Sequence, residues 1–459
     1  MSKDYDIIVI GSGAGLNIVK NAVARGYKTA FIEKGPLGGT CLNRGCIPSK
    51  MFIYPAMMAD KIRSAHRLNI QMAADPVIDY PALVERVTGH TRRVSEELEN
   101  NITRYDNLDF YHDHAHFVKD REIQVNGQTI TGRKIFIGTG SRPAIPDIEG
   151  LAATDYMTST EALTRPTLPA SMAVIGAGYI AAELGYAFST FGCKVDFVVR
   201  SRFLREEDDD ISALFQTCFC KHQHVHLGWS VSGVQKKNGC FRLKCIADNG
   251  EVKELVAEAL FIAAGVVPET DGLGLENTAI KRREGYIRVN NCLETDVPGV
   301  YAFGDAVGNH LYRHTANYEA KYLVRQHILN MPVTPVDYGP VPHAVFSSPE
   351  IAAVGLTERQ AHESGYEFVK GTAGYADSTP VMARGGSPGM VKVLFCKKKR
   401  ILIGAHIIGD EAATVIHLFI VLMKMNGTID DLLDTIFIHP ALPEVAKEAV
   451  LDAEKQFNR

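Results

Sequence analysis

Cys41 and Cys46 are the side chains in this sequence best suited to redox chemistry. They lie in the run Gly38-Gly39-Thr40-Cys41-Leu42-Asn43-Arg44-Gly45-Cys46-Ile47-Pro48-Ser49-Lys50. Cysteines five apart can share one face at the start of a helix, close enough to bridge. A helix N-terminus there would favour a thiolate. A metal site at this spacing needs two further ligands, and the neighbouring sequence offers none. Two unrelated buried thiols are the bland alternative. The glycine-rich approach and the Pro-Ser-Lys exit favour a redox pair.

Two glycine turns could serve such a pair. Asp6-Ile7-Ile8-Val9-Ile10 is an apolar run of the buried parallel type, followed by Gly11-Ser12-Gly13-Ala14-Gly15-Leu16 and a helical pattern. The strand Lys28–Ile32 then ends in Glu33. Gly11, Gly13 and Gly15 would let backbone amides approach a pyrophosphate at the helix N-terminus, and Glu33 would accept the hydroxyls of an adenosine ribose. Leu16 stands where the fingerprint asks for Gly or Ala, so Gly15 must supply the close helix packing. The pattern recurs at Met172–Ile175, followed by Gly176-Ala177-Gly178-Tyr179-Ile180-Ala181. Here the next strand, Val195–Val199, ends in Arg200, with Arg202 and Arg205 close behind. Arginines at this place suit the 2′-phosphate of NADPH better than the free hydroxyl of NADH. A solvated charged turn is the alternative, since Glu206 to Asp210 follow at once.

Cys218-Phe219-Cys220-Lys221-His222-Gln223-His224-Val225-His226 offers five potential ligands in a short span and raises a reading of another class, a metal-binding or sensing module. Its regular spacing of two does not match common zinc frameworks. A helix end running into a strand, with His224 and His226 on one face, explains it as well. His439, followed by proline, is by residue type alone one core histidine among 16.

The surrounding elements suit these motifs. At 459 residues the chain has room for about three domains. A net charge of −4 leaves no basic excess for a phosphate backbone, so no nucleic-acid partner is expected. No apolar stretch approaches the length of a membrane span. The longest, His417 to Lys424, reads as a short buried helix. The first residues enter a strand with no basic region and apolar run before it, and nine cysteines are too few for a disulfide scaffold. A cytoplasmic setting with no membrane partner is the expectation. Proline-rich stretches at Pro143–Gly150, Thr164–Pro169 and Pro332–Pro342 mark crossings between domains.

The whole chain resembles the pyridine nucleotide–disulfide oxidoreductases, most specifically over Cys41–Lys50. Gly299-Val300-Tyr301-Ala302-Phe303-Gly304-Asp305 resembles the family's second flavin motif, and Gly138-Thr139-Gly140 the turn closing its FAD domain. Ala264-Gly265-Val266-Val267-Pro268 resembles the matching turn of the NAD(P) domain without its usual Thr and Arg. The resemblance implies an α/β architecture of two Rossmann-like domains, for FAD and NAD(P), with a C-terminal α+β dimerisation domain. The implied ranges are 1–148 and 271–335 for FAD, 149–270 for NAD(P) and 336–459 for the interface. FAD would be held by Gly11, Gly13, Gly15, Glu33, Lys34, Gly39, Thr40, Thr139, Gly140, Gly304 and Asp305. NADPH, with NADH possible, would be held by Gly176, Gly178, Tyr179, Arg200, Arg202, Arg205 and Gly265.

By the same resemblance Cys46 lies against the flavin and Cys41 attacks the substrate. Lys50 and Glu183 match an ion pair beside the flavin, and Tyr179 a lid over the nicotinamide. His439, oriented by Glu444, becomes the acid–base group and serves the partner subunit, which implies a homodimer. No residue is assigned to a metal. The stretch Arg313–Ala320 and the segment Ile438–Val445 look most like mycothione reductase. Ala14 and Asn21 stand where glutathione reductase contacts its flavin-domain substrate side, which disfavours glutathione itself. A low-molecular-weight disulfide is the expected substrate, with Lys321 a candidate cation for its carboxylate. Dihydrolipoyl dehydrogenase, working with NAD, shares the cysteine motif and is the alternative. Mercuric reductases end in a vicinal cysteine pair, whereas this sequence ends Glu454-Lys455-Gln456-Phe457-Asn458-Arg459.

Overall fold

A computed structural model describes residues 3–376 and 378–457. The chain forms two compact units. The first comprises Met1–Met51, Pro81–Ala144 and Val266–Tyr338, the second Phe52–Tyr80, Ile145–Gly265 and Gly339–Arg459.

The first unit is built on a parallel sheet. Leu108–Tyr111, Thr29–Ile32, Lys3–Ile10 and Gln128–Ile137 run side by side in that order, and Val300–Ala302 adds to the far end of Gln128–Ile137. Ile7 to Ile10 are all buried, the pattern of a strand covered on both faces. Ile8 lies opposite Ala30 on one side and Ile135 on the other. The helix Gly15–Val23 buries Leu16, Ile18, Val19, Ala22 and Val23. The hairpin His116–Lys119 and Glu122–Val125 is antiparallel and extends the sheet from the start of Gln128–Ile137.

The second unit contains a smaller parallel sheet, ordered His224–Leu227, Lys194–Val199, Ser171–Ile175, Ala259–Ile262. A three-stranded antiparallel sheet, Trp229–Lys237, Cys240–Ala247 and Val252–Ala257, accompanies it. The C-terminal part is α+β. Its five antiparallel strands are Pro342–Val345, Ile351–Gly355, Leu402–Ile408, Met390–Cys396 and Phe368–Gly374, in sheet order. The helix Pro443–Phe457 packs on this sheet through Val445, Ala446, Ala449, Val450 and Ala453. It comes so close that a Cβ on Gly371 would run into the backbone oxygen of Ala449.

The architecture is the doubly repeated α/β arrangement with an α+β C-terminal part that the motifs imply. One local expectation needs correction. The helix His417–Lys424 is not buried: only Phe419 is fully enclosed, while Val421 is 58% exposed. An apolar run covers the core with one stripe, and the opposite face of this helix has no layer over it among the described residues. No helix among the described residues is long and apolar enough to cross a membrane.

Candidate active site

The first glycine turn closes on itself through contacts that only glycine permits. Gly11 has φ +97°, and a Cβ there would strike the carbonyl oxygen of Gly138. A Cβ on Gly15 would stand 2.9 Å from Val9 Cγ1, so Gly15 sets the close helix–strand approach while Leu16 is buried beside it. The turn before the cysteines packs on the first one: a Cβ on Gly39 would lie 2.8 Å from Gly13 Cα. Glu33 binds these backbones together, its carboxylate accepting from Ser12 N at 2.8 Å and Gly35 N at 2.9 Å. Lys34 is paired with Glu269 at 2.8 Å.

Cys41 lies in the short helix Gly39–Asn43, and Cys46 opens the helix Cys46–Arg63. Both are thiols, Cys41 half-buried and Cys46 exposed. They form one hydrogen-bonded pair in which a single proton is easily lost. The hydrogen bond from Cys46 brings Cys41 down to about 7 against the opposing effect of burial, and the positive charges of Arg313 and Lys50 help. The same hydrogen bond and burial push Cys46 up. Of the two thiols it is thus Cys41 that is acidified.

The second flavin motif converges on the same unit. Asp305 is largely enclosed, and burial raises its pKa even though Ser141 Oγ donates to it at 2.6 Å. Glu319, 1% exposed, accepts from Gly304 N at 2.5 Å and from the Tyr338 hydroxyl. Arg313, at the first turn of the helix Arg313–Leu323, donates to the Gly13 carbonyl at 3.3 Å. Ser141, Glu319 and the reach of Arg313 were not anticipated from sequence. A glutamate on the buried face of a helix just after the motif was the one available signal. Thr139 Oγ1 is buried with no partner among the described residues, and a Cβ on Gly140 would meet only open space. An enclosed hydroxyl without a partner beside a cradle of glycines fits a polar cofactor. Gly11, Gly13, Gly15, Glu33, Lys34, Gly39, Thr40, Thr139, Gly140, Gly304 and Asp305 all fall in this unit and could hold such a group.

The second unit repeats the arrangement. A Cβ on Gly176, at φ +142°, would strike the Ala263 carbonyl, whereas Gly178 and Gly265 face open space. Tyr179 is 45% exposed at the start of the helix Tyr179–Thr190. Arg200 is exposed with no partner among the described residues. Arg202 pairs with Asp209 at 2.7 Å and Arg205 with Glu206 at 3.1 Å. One arginine of the three is thus uncommitted.

His439 is 74% exposed and its Nδ1 faces Glu444 Oε1 at 2.9 Å. Glu444 also accepts from Ala441 N, and these two bonds hold its carboxyl below the usual range. The pair is therefore assembled at the surface, not in a core. Lys50 belongs to the first unit and Glu183 to the second, where Glu183 is buried and accepts from Phe346 N at 2.8 Å. Lys321 is exposed. The Cys218–His226 segment does not gather its ligands. Cys218 is buried at the end of the helix Asp209–Phe219, and His226 is held by Asp196 at 2.9 Å and Lys253 at 2.7 Å. No group of three or more metal-ligating side chains assembles among the described residues.

Comparison with known proteins agrees with this geometry. Residues 5–321 match the pyridine nucleotide-disulphide oxidoreductase family, and residues 341–450 match its dimerisation domain. Mycothione reductase of Mycobacterium tuberculosis is 34% identical over 97% of this chain and 99% of its own length. Dihydrolipoyl dehydrogenase of Rhizobium etli is 33% identical over 99% of this chain and 98% of that protein. Mercuric reductase of Staphylococcus aureus is 33% identical over 99% of this chain and 84% of that protein. Among solved structures, the HOCl-induced flavoprotein disulfide reductase RclA of Escherichia coli superposes with a TM-score of 0.86 at 26% identity, covering 96% of this chain and 98% of that one. The chain belongs to the pyridine nucleotide-disulphide oxidoreductases. It is a flavin-dependent oxidoreductase that works with a pyridine nucleotide, and it carries the domain through which the family dimerises.

Proposed function

We propose that this enzyme reduces a low-molecular-weight disulfide of the mycothione or glutathione type at the expense of NADPH. The acidity of Cys41 carries the proposal. A thiol near 7 is substantially ionised at neutral pH and retains good nucleophilicity, which suits an attacking group. Bound FAD would supply the passage of two electrons from the nicotinamide to the Cys41–Cys46 disulfide. The chain does the rest. Cys46 takes the flavin side of the pair. Cys41 attacks one substrate sulfur, forming a mixed disulfide and expelling a thiolate. Attack of Cys46 on Cys41 then releases the second thiol and restores the internal disulfide. His439, oriented by Glu444, protonates the leaving thiolate, and its exposure supports service to a partner subunit in a cytoplasmic homodimer. Lys50 and Glu183 are assigned to the flavin environment and Tyr179 to the nicotinamide pocket. Residues 1–148 and 271–335 form the FAD part, 149–270 the NAD(P) part and 336–459 the interface.

The uncommitted Arg200 supports NADPH, whose extra phosphate an arginine can bind in bidentate fashion. A steady-state screen tests the proposal: oxidised glutathione, mycothiol disulfide, bis-γ-glutamylcystine, coenzyme A disulfide and lipoamide, each with NADH and NADPH. Mercuric and cupric ions join as further acceptors, because one relative is a mercuric reductase and RclA forms a Cu(II) complex. Turnover of a small disulfide with NADPH is expected. Turnover confined to lipoamide with NADH, the dehydrogenase reaction run in reverse, would establish the dehydrogenase alternative.

A further inference from the structure

The loop that follows the Lys194–Val199 strand has two halves with different attachments. Its arginine half is tied to the glycine turn: Leu204, itself at φ +49°, donates its amide to the Ala177 carbonyl at 2.8 Å. Phe203, fully buried, packs on Phe197, Phe215 and Phe219. Four residues on, the acidic half enters the C-terminal sheet. Lys392, on the strand Met390–Cys396, is 1% exposed and binds Asp208 at 2.8 Å, Asp210 at 2.6 Å and Glu358 at 2.6 Å. Asp208 is equally enclosed, and Glu207 faces His343 Nε2 at 2.8 Å. Asp209, between them, is shared by Arg202 at 2.7 Å and Arg359 at 3.6 Å. A buried lysine facing three carboxylates holds them in place, since its loss would leave the enclosed Asp208 without its counter-charge.

We propose that Lys392 is a positioning residue for pyridine-nucleotide binding. By holding Asp208 and Asp210 it fixes the loop that presents Arg200 to the nucleotide's 2′-phosphate. The charged run Glu206–Asp210 is thus not a solvated turn: its buried part is the foot on which the arginines stand. The proposal rests on Arg200 being the phosphate contact, as proposed above.

Binding of NADP+ and NAD+ to the oxidised holoenzyme by calorimetry tests it without turnover. Lys392→Met should raise the NADP+ dissociation constant about tenfold, some 1.4 kcal/mol, and change NAD+ less than threefold, with flavin content intact. Lys392→Arg should restore most of the loss. Because Lys392→Met strands the buried Asp208 carboxylate, Asp210→Asn, whose side chain is half exposed, is measured beside it and should weaken NADP+ by about threefold. Arg200→Glu is the control for the underlying reading. If it leaves NADP+ binding unchanged, the phosphate assignment falls and this inference with it. If Arg200→Glu weakens NADP+ while Asp210→Asn and a folded Lys392→Met bind like the parent, the assignment stands and the inference is overturned. Equal weakening of NAD+ and NADP+ would also overturn it.

Discussion

The hydrogen bond between the two active-site thiols makes a measurable claim about Cys41. Replacing Cys46 with alanine deletes the largest contribution to its acidity while leaving the charges of Arg313 and Lys50. The ordinary value of 9.0 has come down to about 7. About half of Cys41 is then thiolate at pH 7, against about one part in a hundred for an unperturbed thiol. A less acidic thiolate is intrinsically more nucleophilic, with a Brønsted slope near 0.45, which returns about eightfold over two units. If the whole shift were lost, alkylation at pH 7 would therefore slow by only about sixfold. The midpoint of the rate–pH profile is the sharper readout. The dithiol-reduced holoenzyme is treated with limiting iodoacetamide from pH 5 to 10, and modification of the Cys41 peptide is followed by mass spectrometry. The parent should show a midpoint near 7, and Cys46→Ala one higher by roughly 1–2 units. A parent midpoint near 9, or one that does not move in the variant, would refute the account of the pair.

Two further outcomes are expected. The parent, reduced by two electrons, should show a long-wavelength charge-transfer absorbance that Cys46→Ser lacks, and retention of the band in that variant would reverse the two thiols. His439→Ala should slow disulfide turnover by about 10²–10⁴-fold while sparing flavin reduction by the nicotinamide in stopped flow, whereas equal loss of both half-reactions would indicate damage to folding or to the dimer.

The parts of the site that follow from neighbouring residues were legible in the sequence. Gly11, Gly13 and Gly15 after an apolar run, and Cys41 and Cys46 in their glycine-to-lysine frame, carry their geometry locally. The parts that depend on distant partners were not. Glu319 reaches back to Gly304, Ser141 to Asp305, and Lys392 lies 184 residues from Asp208. Such pairings leave no periodic signal in a single chain, so Glu206–Asp210 read as an ordinary charged turn. Which of the two thiols is the acidic one was open for a related reason. The helix terminus is visible from sequence, but the direction of the hydrogen bond between Cys46 and Cys41 is not. The exposed side of the His417–Lys424 helix was hidden because an apolar octapeptide does not say how many of its faces are covered.

The contact between Gly371 and the helix carrying Glu444 at its first turn gives a residue without chemistry control over one with it. The separation of that helix from the sheet is set by the missing side chain, so Gly371 acts as a shim beneath the histidine's support. Even a methyl group there would lift the helix and carry the His439–Glu444 pair with it. In a dimer whose proton donor serves the opposite subunit, such a change would leave each chain's own cysteines untouched and detune the neighbour's. Mixed dimers of parent and Gly371 variant would then show the defect on the parent's active site, a trans effect from the hydrophobic core.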